Sequence, residues 1–264
     1  MRAFLLATTL LAAAPAFAQD LAPDAAALKA HVQFLASDAM RGRDTGSPEI
    51  AIAEQYVAAQ MLAAGLKPGG TNGSWLQPVP LVSFASADHG SFVIKRGDVA
   101  TPLEWGVDYF GRANPHIAKV SLSAPVVFAG YGVVDKASGY DDYKGLDVKG
   151  KIVAVLRDAP KVIASSDARA HLGQPDEQAR TAAAHGAIGV ILIEGNGRHA
   201  VFPFAATKPF WNNPAMTWSN GEAGGPVAPA FAYLGMDGAA KLFAGTKLKW
   251  DEILAADKAG TKLP

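Results

Sequence analysis

The fold is decided by the stretch Ala124-Pro-Val-Val-Phe-Ala-Gly-Tyr-Gly-Val-Val-Asp135 and by the nearby Tyr140-Asp-Asp-Tyr-Lys-Gly-Leu-Asp-Val-Lys-Gly-Lys-Ile-Val-Ala-Val-Leu-Arg-Asp158. Two short runs rich in β-branched residues lie within it, Val126 to Ala129 and Lys151 to Leu156. Gly, Asp and Tyr residues typical of turns separate the two runs. The pattern therefore predicts two buried strands joined by an ordered loop.

A helix and a third strand are predicted directly downstream. Pro175-Asp-Glu-Gln-Ala-Arg-Thr-Ala-Ala-Ala-His-Gly186 has a proline near its start and a glycine just past its end, which is typical of a short helix. The apolar run Gly189-Val-Ile-Leu-Ile193 follows at once. The order strand, helix, strand predicts an α/β unit.

These residues resemble a protease-associated (PA) domain of the kind inserted in secreted zinc aminopeptidases. The resemblance rests on four motifs together, which are Gly130-Tyr-Gly132, Tyr140-Asp-Asp-Tyr143, Asp147-Val-Lys-Gly-Lys-Ile-Val153 and Ala184-His-Gly-Ala-Ile-Gly-Val-Ile191. It implies an α/β (α+β) fold in which short helices flank a sandwich-like or barrel-like sheet. We assign residues 116–246 to this domain.

The opening of the chain resembles the same secreted di-zinc aminopeptidases. The matching motifs are Phe34-Leu-Ala-Ser-Asp38, Arg41-Gly-Arg43, Thr45-Gly-Ser47, Gly65-Leu-Lys-Pro68 and Gly73-Ser-Trp-Leu-Gln77. The resemblance implies that these motifs begin an incomplete α/β peptidase domain that the PA domain interrupts.

This resemblance also implies how the rest of the chain is organised. Residues 19–115 are expected to be the first segment of the peptidase domain, and residues 247–264 a linker toward a missing catalytic half. The family's zinc motifs lie after its PA domain. Two zinc ions are therefore expected in a full-length member and none in this chain.

Two helices are predicted before the PA domain. The first covers Pro23 to Ser37 and repeats apolar residues at helical spacing. The second begins after Ser47, a residue suited to capping a helix, and ends near Gly65. Its apolar residues Ile50, Ala53, Val57, Met61 and Ala64 share one face. We expect this face to be exposed if the chain is a fragment and buried if it is a complete module.

Composition and the first residues bear on nucleic-acid binding, export and membrane anchoring. The 264 residues are 50% hydrophobic and 18% charged, with equal numbers of basic and acidic residues, so no basic patch for nucleic acid is expected. Met1 to Ala18 has a basic start, a short apolar stretch and a small-residue cleavage site, which predicts a signal peptide and a periplasmic or secreted protein. The chain contains no cysteine. No membrane anchor is predicted beyond the signal peptide.

The sequence offers no recognisable catalytic or metal-binding motif. None of the six histidines, His31, His89, His116, His171, His185 and His199, lies in a zinc motif. His31 is expected to pack beside its helix, and His185 to suit the negative end of a helix dipole. Asp141 and Asp142 are expected to bond the turn backbone rather than a metal. The motif formed by Gly130 and Gly132 has no third glycine and is followed by a turn rather than a helix, so it does not predict a dinucleotide-binding site.

The segment from Gly195 to Gly225 is rich in aromatic residues and shows no regular period. One interpretation is a long ordered loop packed by its own aromatic rings. The other is a substrate or partner contact made by Phe202, Phe210, Trp211 and Trp218.

Three hypotheses for the function follow. In the first, the chain is the N-terminal portion of a secreted zinc aminopeptidase, inactive alone, whose PA domain is a lid or interaction module for a peptide substrate or the missing catalytic domain. In the second, it is a stand-alone secreted module that binds a peptide or a protein without enzymatic activity. In the third, it is a degenerate relative that lost its catalytic half.

Overall fold

The structure is a computed structural model that describes residues 25–111, 117–219 and 230–264. The chain divides into two compact units, residues 1–78 and residues 79–264. The predicted signal peptide and His116 lie outside the described residues. The two units are described separately below.

The first unit contains two helices, α1 (Ala25–Leu35) and α2 (Pro48–Ala63), and two single 3-10 turns, Asp38–Met40 and Thr71–Gly73. Both ends of α2 are as predicted. The Ser47 side chain accepts a hydrogen bond from the Ile50 N–H, at 3.2 Å. At the other end Gly65 has φ +80° and the Leu66 N–H donates to the Met61 carbonyl, which is the left-handed cap that glycine favours.

Helices α1 and α2 contact each other through Tyr56. Its ring stacks on Phe34 at 4.5 Å between centroids, and its hydroxyl lies 2.7 Å from His31 Nδ1. His31 is half-buried here, as predicted. By contrast, Val57 and Met61 in the predicted apolar face of α2 are each 42% exposed. The face is therefore buried only in part.

The second unit is built on a five-stranded sheet. The strands of the unit are β1 (Leu81–Phe84), β2 (Phe92–Arg96), β3 (Val99–Leu103), β4 (Tyr109–Gly111), β5 (Val126–Phe128), β6 (Val134–Asp135), β7 (Tyr140–Asp141), β8 (Ile152–Leu156), β9 (Gly189–Ile193), β10 (Ala215–Trp218) and β11 (Ala230–Leu234). The strand order in the sheet is β4-β11-β9-β8-β5, and the last four of these are parallel, while β4 pairs antiparallel with β11. The predicted α/β class is confirmed, with β5, β8 and β9 where the sequence predicted strands and a helix over Pro175–Ala184 where it predicted a helix. In the described residues the sheet does not close into a barrel.

Helices cover both faces of this sheet, which is why β8 and β9 are almost continuously apolar. The helices of the unit are α3 (Ser166–Leu172), α4 (Pro175–Ala184), α5 (Asn196–Val201), α6 (Lys208–Asn212), α7 (Met236–Phe243) and α8 (Trp250–Ala259). One face of the sheet packs against α7 and α8 through Leu156, Ile193 and Leu234. The other face packs against α4 through Val155 and Leu192.

Residues at both ends of the second unit complete its core. Asp108, the residue just before β4, is 0% exposed. Its carboxylate forms an ion pair with Lys241 of α7, with 2.6 Å between Oδ2 and Nζ. In α8, Trp250 and Ile253 are buried in the core, and Asp257 accepts a hydrogen bond from the Tyr131 hydroxyl at 2.8 Å. The segment 247–264, predicted as a linker, thus contains a helix packed on the sheet. The boundaries of the domains stay a prediction.

The Gly130-Tyr-Gly132 motif is a tight turn that Asp142 holds in place. The Asp142 carboxylate accepts hydrogen bonds from the N–H groups of Tyr131 and Val133, at 3.0 and 3.1 Å, and from the Tyr140 hydroxyl, at 2.6 Å. Gly130 has φ +54°, and a Cβ there would lie 2.5 Å from Asp142 Oδ1. Glycine is therefore required by both backbone and space. Burial raises the pKa of Asp142, and the hydrogen bonds oppose that shift.

We expect Asp142→Ala to lower the free energy of unfolding by about 1–3 kcal/mol, because it leaves two half-buried N–H groups without an acceptor. Urea denaturation followed by circular dichroism measures the change. Asp135→Ala is the matched control. Asp135 also accepts from backbone N–H groups, but in a turn where water can replace it. An Asp142 variant as stable as the control would contradict the role given to this carboxylate.

Candidate functional site

Polar residues collect where the parallel strands end. Arg157 directly follows β8, and Glu194 directly follows β9. Tyr233 is the last residue but one of β11. Because the carboxyl ends of parallel strands share one edge of the sheet, these side chains lie close together. The Arg157 guanidinium carbon is 5.7 Å from the centroid of the Tyr233 ring.

The backbone around Arg157 is fixed by Gln178 of α4. Gln178 is 1% exposed, and its Nε2 lies within hydrogen-bond distance of three carbonyl oxygens, those of Tyr131 (2.6 Å), Leu156 (2.9 Å) and Asp158 (3.1 Å). Two of these carbonyls flank Arg157 in the chain. The amide therefore determines where the Arg157 side chain leaves the sheet.

Glu194 organises the segment that follows β9. Its side chain is 2% exposed, and Oε1 accepts a hydrogen bond from the Phe204 N–H at 2.5 Å. His199 Nδ1 lies 3.3 Å from the same oxygen. Phe204 then stacks on Phe110 at 4.4 Å between centroids. The buried carboxylate thus holds the single 3-10 turn Phe204–Thr207 against the end of the sheet.

A cavity of about 390 Å³ opens between this turn and the sheet. Trp211 is fixed in its wall, because its Nε1 donates to Thr207 Oγ1 at 3.0 Å and its ring stacks on Phe110 at 5.4 Å. Phe210, which lies beside Trp211 in α6, is 69% exposed. The aromatic lining consists of Phe84, Phe202, Phe210, Trp211, Phe231 and Tyr233.

Two guanidinium groups, those of Arg157 and Arg198, also line the cavity. Within the described parts of the chain, neither forms an ion pair with a carboxylate. Arg198 lies over the Phe202 ring, with 5.6 Å between its guanidinium carbon and the centroid. The cavity therefore combines apolar walls with two cations available to a ligand.

Tyr233 adds a buried hydroxyl to this wall. The residue is 1% exposed, and its hydroxyl meets no hydrogen-bond acceptor among the described residues, while the Arg157 side chain lies close enough to act on its oxygen as a donor. Burial raises its pKa to about 12, and the Glu194 carboxylate acts in the same direction, whereas Arg157 and Arg198 oppose the shift. The phenol is neutral at neutral pH and can donate one hydrogen bond to a ligand.

Three of the four residues predicted for ligand contact, Phe202, Phe210 and Trp211, come together in this cavity. The fourth, Trp218, lies outside it, on β10 opposite Leu81, and is 43% exposed. Contact with a ligand stays a prediction for all four.

The interpretation of residues 195–225 as a long ordered loop is wrong for its described part, although Phe202 and Phe210 in it do contact each other, at 6.0 Å between ring centroids. Residues 195–219 contain α5, the 3-10 turn, α6 and β10, and β10 pairs with β1. The helices have five or six residues, too few for a helical period to appear in the sequence. Residues 220–225 lie outside the described part.

Sequence reasoning missed Arg157, Glu194, Arg198 and Tyr233. Arg157 and Glu194 directly follow strands that the sequence predicted, so the rule that ligands bind at the carboxyl ends of parallel strands would have indicated both. Arg198 and Tyr233 carry no such signal. Arg198 reaches the cavity because the chain turns into α5 after β9. Tyr233 reaches it because β11 pairs with β9, a strand distant in sequence.

The acidic pair and several of the histidines have structural contacts. Asp141 accepts a hydrogen bond from the Tyr143 N–H at 2.8 Å, as predicted for a turn residue. His185 stacks on Tyr143 at 4.2 Å between centroids, and His89 on Trp105 at 3.6 Å. Among the described residues no three His, Asp or Glu side chains are grouped so that they could hold a metal ion. No helix in the same residues is long and apolar enough to cross a membrane.

Residues 122–232 match the family model of the PA domain. The chain therefore contains a PA (protease-associated) domain. The matched residues include β5, β8, β9 and the cavity residues from Arg157 to Phe231. Comparisons with curated proteins and with solved structures found no match. Strand β4 and helices α7 and α8 lie outside the matched residues but share its sheet and core.

We expect Glu194→Ala to lower the free energy of unfolding by about 1–3 kcal/mol, because the buried Phe204 N–H loses its acceptor. Chemical denaturation followed by tryptophan fluorescence measures the change. His199→Ala is the control, since its 57% exposed side chain reaches the same carboxylate from the solvent side. If both variants unfold at the same denaturant concentration as the wild type, Glu194 does not hold this turn.

Proposed function

We propose that the PA domain binds peptide in the cavity beside Trp211, as part of a secreted zinc aminopeptidase whose N-terminal portion is this chain. The observation that carries the proposal is that Phe202, Phe210 and Trp211 form one cavity wall with Arg157 and Arg198. PA domains occur in proteases as a lid or an interaction module. Peptide is therefore the ligand class to test first.

The composition of the cavity favours a peptide. Its walls are mainly aromatic, with a few polar groups that can fix the orientation of a ligand, which is the usual composition of binding sites for small molecules and peptide side chains. Phe210 presents most of its ring to solvent. An exposed aromatic ring beside buried ones can pack on an apolar side chain without rearrangement of the core.

The aminopeptidase part of the proposal is supported by two features of the first unit. The motifs from Phe34 to Gln77 resemble the opening of that family, and Val57 and Met61 on α2 are exposed apolar residues. Two zinc ions belong to this proposal. Because the described residues contain no suitable group of ligands, we derive no hydrolytic step for this chain.

Export is proposed on the sequence of Met1 to Ala18 alone. A basic start, a short apolar stretch and a small-residue cleavage site are the features of a secretory signal peptide. The destination, periplasm or medium, is left open by this pattern.

The alternative is a stand-alone secreted PA-domain module that binds a peptide or protein and has no enzymatic activity. The same cavity favours it, so peptide binding is common to both proposals. The difference lies in the first unit, whose exposed apolar residues would be covered by the rest of the peptidase domain in the aminopeptidase proposal.

We expect Phe210→Ala to weaken the binding of an N-terminally fluorescein-labelled peptide, Gly-Gly-Ser-Gly-Ala-Phe, about tenfold, since loss of one aromatic contact is worth about 1.4 kcal/mol or more. Fluorescence anisotropy measures the affinity. Trp218→Ala is the control, because Trp218 is an exposed aromatic residue outside the cavity. The peptide is tested in two forms, with a free C-terminal carboxylate and as the C-terminal amide. If neither form binds the wild-type protein, peptide binding is refuted.

We expect the chain to bind a hydrophobic dye such as ANS through α2, and the double variant Val57→Ser, Met61→Ser to reduce the dye fluorescence at least twofold. The physical reason is the loss of exposed apolar surface. Val99→Ser, at a residue that is 65% exposed in the second unit, is the control. Unchanged dye binding in the double variant would favour the stand-alone module over the aminopeptidase fragment.

A further inference from the structure

We propose that the cavity recognises the C-terminus of a peptide, with the terminal carboxylate bound by Arg157 and Arg198 and the last side chain packed on the aromatic wall. This inference rests on the proposed function and names its ligand. A C-terminal residue presents a carboxylate and an apolar side chain on neighbouring atoms. The cavity is lined by both complementary kinds of group, arginine and aromatic side chains.

Charge carries the first step of the argument. Arg157 and Arg198 line one cavity of about 390 Å³, and no carboxylate in the described residues pairs with either. Guanidinium groups bind carboxylates through two parallel hydrogen bonds, and such bonds are stronger where water is excluded. Two unpaired guanidinium groups therefore favour an anionic ligand over a neutral one.

Nearby acidic groups do not satisfy these cations. Glu194 is already bonded to the Phe204 N–H and lies 3.3 Å from His199 Nδ1. Asp158 is near enough to Arg157 and Arg198 for both to lower its pKa, although burial raises that pKa more strongly. It lies beyond ion-pair distance of both guanidinium groups, and it is not among the residues lining the cavity.

The Tyr233 hydroxyl is the second, independent observation. It is buried at the cavity wall and neutral at neutral pH, and its O–H meets no acceptor among the described residues, although the Arg157 side chain approaches its oxygen. A buried hydroxyl without an acceptor is destabilising, so a ligand oxygen that accepts its hydrogen bond removes this cost. Arg198 Nε is likewise buried and without a partner. Both groups are donors, and a carboxylate is an acceptor at both of its oxygens.

The aromatic wall selects the side chain next to that carboxylate. Phe202, Trp211 and Phe231 line the same cavity as the two arginines, and Arg198 lies directly over the Phe202 ring. A bulky apolar last residue can therefore pack on these rings while its carboxylate reaches the guanidinium groups. We expect peptides that end in Phe or Leu to bind more tightly than peptides that end in Ser.

Three labelled peptides test the inference on the mature chain by fluorescence anisotropy. They are Gly-Gly-Ser-Gly-Ala-Phe with a free carboxylate, the same peptide as its C-terminal amide, and the amide of Gly-Gly-Ser-Gly-Asp-Phe. We expect the free acid to bind at least tenfold more tightly than its amide. The third peptide carries its carboxylate on a side chain and is expected to bind like the amide.

Variants assign the effect to the two arginines. Arg198→Gln and, separately, Arg157→Gln are expected to reduce the acid-to-amide ratio to below threefold while the amide still binds. Lys144→Gln, which removes the same charge at an exposed residue outside the cavity, is expected to leave the ratio unchanged. Circular dichroism shows whether each variant is folded. If Arg157→Gln does not fold, Arg198→Gln decides the test.

The outcomes separate this inference from the proposed function. Equal binding of acid and amide would overturn recognition of the C-terminus and leave peptide binding standing. Binding of the Asp peptide as tightly as the free acid, with the same dependence on Arg198, would overturn it in favour of acidic side chains. An acid-to-amide ratio that survives in both arginine variants would also overturn it. Failure of all three peptides to bind would refute the proposed function itself.

Discussion

The side-chain amide of Gln178 is the interaction on which the site depends. It is buried in α4, within hydrogen-bond distance of the carbonyls of Tyr131, Leu156 and Asp158. Those carbonyls belong to two segments that leave the sheet at the same edge. An amide that satisfies carbonyls on both fixes the Gly-Tyr-Gly turn relative to the end of β8, and with it the direction of Arg157. Asp142 then holds the other side of the turn through the N–H groups of Tyr131 and Val133.

The polar edge of the sheet divides its groups between structure and binding. Glu194 is committed to the backbone, because its carboxylate holds the Phe204 N–H. The arginines are committed to no carboxylate in the described residues, although they approach the rings of Tyr233 and Phe202. A buried carboxylate used for structure and nearby cations left unpaired are the basis for the anionic ligand that we propose. This is an unusual distribution for a purely structural cluster, in which opposite charges pair.

The sheet could be predicted from the sequence, but only some of the residues that line the cavity could. Strands β8 and β9 and helix α4 are encoded locally, by apolar runs and by a proline and a glycine at the helix ends, so they could be predicted. Phe202, Phe210 and Trp211 could be found because aromatic residues cluster in the sequence. Arg198 and Tyr233 could not, because nothing local distinguishes them and only the pairing of β9 with β11 brings them together. Trp218 lies close to the others in sequence, yet β10 pairs with β1 and Trp218 lies outside the cavity.

Strand β4 has a consequence for where the domain can be cut. It precedes the matched residues 122–232, yet it covers the outer edge of β11 through the pairing of Tyr109 with Leu234. The ion pair between Asp108, just before β4, and Lys241, in the helix that follows β11, joins the same two parts of the chain. A fragment trimmed to the matched residues would lose β4 and the last two residues of β11, Tyr233 and Leu234, and would leave the rest of β11 with unpaired N–H and C=O groups. Such an open edge recruits strands from other chains, so the trimmed domain would tend to aggregate, whereas one that begins before Asp108 keeps its edge closed.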